Sequence, residues 1–117
     1  MARLTDPEKL RCYKCALANR KVNGYILFTR RAAEWLREEL DGTTQFEFTE
    51  LLHDYVNAGG EIDEVVERRP EWAMHSHHYD LRPIVAGRRR YVETRLIYKD
   101  ANDPDDPIIH VVNIHDA

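Results

Sequence analysis

The chain has 117 residues, 43% of them hydrophobic and 32% charged, with 5 Gly, 5 Pro and 2 Cys. At roughly 100–200 residues per domain this is a single domain over 1–117, and the mix excludes collagen-like, disordered and membrane-spanning chains. The formal net charge of −4 excludes a uniformly basic polyanion binder.

Thr5-Asp6-Pro7-Glu8 has the form of a capping box, and Leu10, Tyr13 and Leu17 repeat at helical spacing, which predicts a helix from about Asp6 to Lys21. Asn23-Gly24 ends it, and Tyr25-Ile26-Leu27-Phe28 reads as a brief strand or a buried linker. Thr29 caps a second helix carrying Ala32, Leu36 and Leu40 up to Asp41-Gly42. A second capping box, Thr44-x-x-Glu47, opens a third helix with Phe48, Leu51, Leu52, Tyr55 and Val56 on one face, closed by Gly59-Gly60. Ile62, Val65 and Val66 suggest one or two more helical turns before Pro70. From there the texture is β-branched, aromatic or alternating, in runs 73–85, 89–99 and 108–115. Ala86-Gly87-Arg88 makes a tight connection between the first two runs, and an acidic, turn-rich loop from Asp100 to Pro107 precedes the third. The expected fold class is α+β, with N-terminal helices followed by an antiparallel β-meander of three or four strands.

Charge is partitioned along this order. Residues 1–33 carry 8 basic and 2 acidic side chains, 34–71 carry 3 and 12, 72–99 carry 6 and 2, and 100–117 carry none and 5. Such blocks can place a basic patch on an acidic protein. The N-terminal MARLTDPEKL holds no apolar stretch of a signal peptide, and Cys12 and Cys15 make no disulfide framework, so a reducing, cytoplasmic location without membrane contact is expected.

The densest cation source is Arg82, the run Arg88-Arg89-Arg90, and Arg95, interleaved with Tyr79, Tyr91 and Tyr98. Guanidinium groups hold phosphate through paired hydrogen bonds, and flat phenol rings stack on bases. His115, near the end of the last run, titrates near neutrality, and an imidazole beside arginines suits phosphodiester cleavage. Glu93 lies on the face of Tyr91 and Arg95, as a partner base or as a salt bridge. His75, His77 and His78 crowd four residues, and His-x-His on a strand is a metal-ligand spacing that His110 or His115 could complete. Cys12-x-x-Cys15 has no second cysteine pair to form a structural zinc site, and no cofactor is expected.

Thr29-Arg30-Arg31-Ala32, the two helices that follow, then His78-Tyr79-Asp80-Leu81-Arg82-Pro83-Ile84-Val85-Ala86-Gly87 and Arg90-Tyr91-Val92-Glu93-Thr94 resemble the RelE/ParE toxin superfamily, most nearly its MqsR branch. The resemblance runs over residues 5–116, mainly as an order of elements. It implies a RelE-like fold and a small cytoplasmic, metal-independent endoribonuclease that acts on mRNA, often at the ribosome, and is neutralised by an antitoxin protein. By matched position it implies His115 as general acid, Tyr91 near the scissile phosphate, and Arg82 with one of Arg88 to Arg90 on the phosphate. His78 or His77 falls near a polar site residue of the MqsR branch. Apart from the resemblance, the basic run itself puts Arg88, Arg89, Arg90 and Arg95 in the expected substrate-binding set. Two alternatives carry other expectations. One is a non-enzymatic module of the same fold that docks a protein through its acidic helical region and basic sheet. The other is a metal-binding domain built on the histidine cluster.

Overall fold

The structure is a computed structural model describing residues 2–98 and 106–116. It is an α+β fold of three helices and a seven-stranded sheet. In chain order these are β1 (Ala2–Arg3), α1 (Pro7–Ala18), β2 (Ile26–Phe28), α2 (Arg30–Glu39), α3 (Gln45–Asn57), β3 (Ile62–Val66), β4 (His77–Leu81), β5 (Ile84–Val85), β6 (Arg88–Tyr98) and β7 (Pro107–Asp116). A single 3-10 turn, Pro70–Trp72, lies between β3 and β4.

Capping chemistry starts each helix where the sequence places it. The Asp6 carboxylate accepts from the Glu8 and Lys9 amides, and the Thr29 hydroxyl accepts from the Ala32 amide. Thr44 and Glu47 form a reciprocal capping box. The first helix is a turn shorter than its expected end at Lys21. Its last carbonyls accept from the Asn19 amide, and Arg20 turns aside to hold Glu50 of α3 at 2.6 Å.

The sheet runs β1-β3-β4-β6-β7-β2, with β5 folded back on β6. Its central strands, β3, β4, β6 and β7, are antiparallel, whereas β2 joins the far edge parallel to β7. Two expectations change here. Residues Ile62–Val66 form a strand rather than helical turns, since all five pair with β4, from Ile62 opposite Leu81 to Val66 opposite His77. The run 73–85 is not one strand, because Pro83 lacks the amide a ladder requires and separates β4 from β5. The sheet therefore has more strands than a four-stranded meander, and one strand is threaded between the first two helices. Ala86 (φ 53°) and Gly87 (φ 77°) close the β5–β6 hairpin, two left-handed residues in a row as the primed two-residue turns demand. The acidic loop expected from Asp100 to Pro107 lies outside the described residues apart from Asp106 and Pro107.

Alternation divides the sheet into two faces. Ile62, Tyr79, Leu81, Val92, Ile109, Val111 and Ile114 meet Tyr13, Leu17, Ala32, Leu36, Phe48 and Leu52 of the helices in one core. The Tyr13 hydroxyl bonds Thr94 Oγ1 at 2.8 Å inside it, and burial pushes the Tyr13 phenol pKa up. No helix among the described residues is long and apolar enough to cross a membrane.

Candidate functional site

The face away from the helices carries the chemistry. Register sets Asp80 opposite Glu93, Glu93 opposite Asn113, Arg95 opposite His110 and Tyr91 opposite His115, so these side chains share one surface across β4, β6 and β7. Two connected groups occupy it.

In the first group, the Tyr91 hydroxyl donates to the Asp80 carboxylate, which also lies 2.7 Å from His78 Nδ1. The His115 ring stacks on Tyr91, with centroids 4.6 Å apart and planes 19° apart. Asp80 is 1% exposed, and burial raises its pKa against the lowering effect of Tyr91 and His78. Burial and the bond to Asp80 push the Tyr91 pKa up, so the phenol remains a proton donor at neutral pH. His115 Nδ1 lies 2.9 Å from the Asp116 carbonyl, which can only accept, so this nitrogen donates and Nε2 is the other polar atom of an exposed ring.

In the second group, residues 67–76 fold back over the face as a strap. Arg69 donates to both Glu67 and Glu93. Arg95 lies between the same carboxylates, bonding Glu67 and approaching Glu93 at 3.2 Å, with its guanidinium 4.7 Å from the centre of the Trp72 ring. Arg69 holds the Glu67 carboxyl down to about 2. Burial and the Arg95 charge lower the pKa of both His75 and His110. Beside the strap, Thr29, Arg31, Arg69, Glu71, Trp72, Val112 and Asn113 line a cavity of about 250 Å³.

The expected site residues divide between the two faces. His115, Tyr91 and His78 come together on the open face through Asp80. Arg82 follows Leu81, whose cross-strand partner Val92 adjoins Tyr91, and it is ion-paired with Asp63. Arg89 is exposed and donates to the Arg82 carbonyl at 2.6 Å. Arg90 is on the helix side, against Trp35 at 5.3 Å, and shares Asp116 with Arg88. Arg95 is buried, so its charge serves Glu67 and Glu93 and not the solvent. Glu93 forms salt bridges to Arg69 and Arg95.

Sequence reading puts Asp80 on the face of His78 without giving it a site role, and it assigns none to Glu67, Arg69 or Trp72. The i, i+2 spacing of His78 and Asp80 on a strand was the signal available for the first. Nothing in the sequence marks Glu67 or Trp72, which act through the path of the strap. The expected histidine cluster disperses: His75 lies outside β4, 6.0 Å from the Trp72 ring, and His77 bonds Ser76. Among the described residues, the one group of three acidic or histidine side chains that close together is Glu50, His53 and Asp54 on α3, where Glu50 already holds Arg20. Cys12 and Cys15 are not joined in a disulfide. No family model, curated protein or solved structure matches the chain.

Proposed function

We propose that the chain is a RelE-like endoribonuclease of single-stranded RNA, such as mRNA at the ribosome, working by acid–base chemistry of its own side chains and held in check by an antitoxin protein. The observation that carries this reading is the Asp80–Tyr91–His115 arrangement on the open face, a buried carboxylate bonded to a phenol whose ring supports an imidazole. RNA cleaves when its 2′-hydroxyl attacks the adjacent phosphorus and the 5′-oxygen leaves. Tyr91 accepts the 2′-hydroxyl proton as its own passes to Asp80, and protonated His115 delivers a proton to the departing oxygen. His78 holds Asp80 in place, and Arg82, once drawn from Asp63, faces the charge that builds on phosphate. Such proton transfer contributes about 10²–10⁴-fold.

The test is cleavage of a single-stranded RNA oligonucleotide by the purified protein, with growth after induced expression as the cellular counterpart. His115→Ala and Tyr91→Phe are expected to lose about 10²–10⁴-fold in rate while remaining folded, and to relieve growth arrest. Absence of cleavage by the unaltered chain, or cleavage indifferent to both substitutions, overturns the reading. A second reading, a non-enzymatic protein-binding module of the same fold, draws on the fact that Arg82, Arg88 and Arg90 are already neutralised by Asp63 and Asp116. It gains if the protein binds a partner of complementary charge and leaves RNA intact.

A further inference from the structure

The cavity beside the strap differs from the rest of the charged surface, because three of its polar side chains are unspent, while Thr29 and Arg69 in its wall are engaged. Among the described residues, the side chains of Arg31, Glu71 and Asn113 make no hydrogen bond or ion pair, and the Trp72 indole N–H has no partner. The arginines nearest to it are engaged, Arg69 and Arg95 by Glu67 and Glu93, and so is Arg82 at the neighbouring strand end, by Asp63. Arg31, Glu71 and Asn113 come from three separate segments, α2, the strap and β7, and the fold brings them around one hollow with a tryptophan in its wall.

A volume of about 250 Å³ falls just below the ~300–1,000 Å³ of sites for drug-sized ligands, which is room for one ring system and not for a long chain. Carboxylate, guanidinium and amide together match an edge that both donates and accepts. A simple anion would meet the Glu71 charge, and a simple cation would meet Arg31 and Arg69. The indole is held in place by Arg95 at 4.7 Å, so a stacking platform stands ready without further ordering.

We infer that this cavity is a nucleobase subsite taking one unstacked guanine of a single-stranded RNA. Guanine presents O6 and N7 to a guanidinium, the commonest specific base contact, and its N1–H and 2-amino group to a carboxylate. Here Arg31 takes the first edge, Glu71 the second, Asn113 the remaining donor or acceptor, and Trp72 the ring. Asn113 and His115 lie two residues apart on the same face of β7, about 7 Å along the strand. That is close to the span of one nucleotide, so a base in the cavity sets a neighbouring phosphate at Tyr91 and His115. The inference rests on the ribonuclease reading for its strand, but base binding is measurable without cleavage.

The experiment is titration of the intact protein with GMP, AMP, UMP and inorganic phosphate, followed by tryptophan emission. GMP is expected to quench saturably and at least about tenfold more tightly than the other nucleotides, with no response to phosphate. Arg31→Gln and Asn113→Ala, both outside the core and without partners to lose, are expected to weaken GMP at least tenfold and to raise KM for RNA with little change in kcat. Trp72→Phe abolishes the quench, which separates it from Trp35. No saturable response to any nucleotide, equal response to all of them, a response to phosphate, or indifference to both substitutions overturns the subsite. Cleavage that persists in that case leaves the ribonuclease reading standing. GMP binding by a chain that cuts no RNA has the reverse meaning.

Discussion

Deleting the Arg95 guanidinium would leave Glu67 and Glu93 buried with Arg69 as their only counter-charge. Arg95→Ala is therefore expected to cost about 3 kcal/mol, the low end for a broken buried pair, in denaturant titration monitored by far-UV circular dichroism. The Nε and Nη1 atoms of Arg95 have no hydrogen-bond partner among the described residues, and the Trp72 ring over the guanidinium is what offsets that lack. Titration follows from the same neighbourhood. His75 and His110 have pKa values lowered from 6.5 by burial, so their neutral forms favour the fold, and stability is lost as the pH falls below about 6.5. Glu67, lowered from 4.5 to about 2 chiefly by Arg69, adds stability that is complete above 4.5 and lost as the pH falls towards 2. Asp80, raised by burial, works in the opposite sense, its protonation favouring the fold. Denaturation midpoints measured from pH 8 down to 2 are expected to fall in two stages, and His110→Gln to flatten the upper one. None of this was legible residue by residue, since a histidine or a glutamate carries no sign of its burial in its own identity.

Each helix declares its start through groups within four residues of it. The Thr44 hydroxyl accepts the Glu47 amide at 3.0 Å, and Glu47 returns a bond to the Thr44 amide at 3.2 Å. Thr44→Ala is expected to cost about 1 kcal/mol and to lower Tm by a few degrees in a thermal melt, without loss of any site on the sheet. A melt unchanged by that substitution would mean that packing of Phe48 and Leu52 alone holds α3. Strand β3 shows the limit of local reading. Ile-Asp-Glu-Val-Val fits a helical turn as well as a strand, and what decides between them is the ladder to β4 and the ion pair of Asp63 with Arg82. The strap, too, is invisible as an element. It contains one short turn, and it holds its course because Arg69 reaches Glu93 across the sheet.

Across the whole molecule the cations are mostly answered from within. Arg82, Arg88 and Arg90 share Asp63 and Asp116, and Arg69 and Arg95 share Glu67 and Glu93, which leaves Arg31, Arg37, Arg68 and Arg89 as the arginines without an ion pair among the described residues. With Arg31 on the base, Arg89 and an Arg82 drawn from Asp63 make two phosphate contacts, which imply a slope of about −1.4 in log K against log salt for single-stranded RNA, measured between 50 and 200 mM salt. A slope steeper than about −4 would mean that the remaining internal ion pairs open to the ligand as well. The sequence by itself determined the three helices, the β-rich second half, the tight Ala86-Gly87 turn and the division of charge into blocks, because caps, periodicity and turn residues act over a few neighbours along the chain. Tertiary structure decided the rest. Which arginines meet solvent, that Tyr91 lies over His115, and that Trp72 closes over Arg95 all depend on cross-strand register and on the path of one loop, and a slip of a single residue would send every one of those strand side chains to the other face.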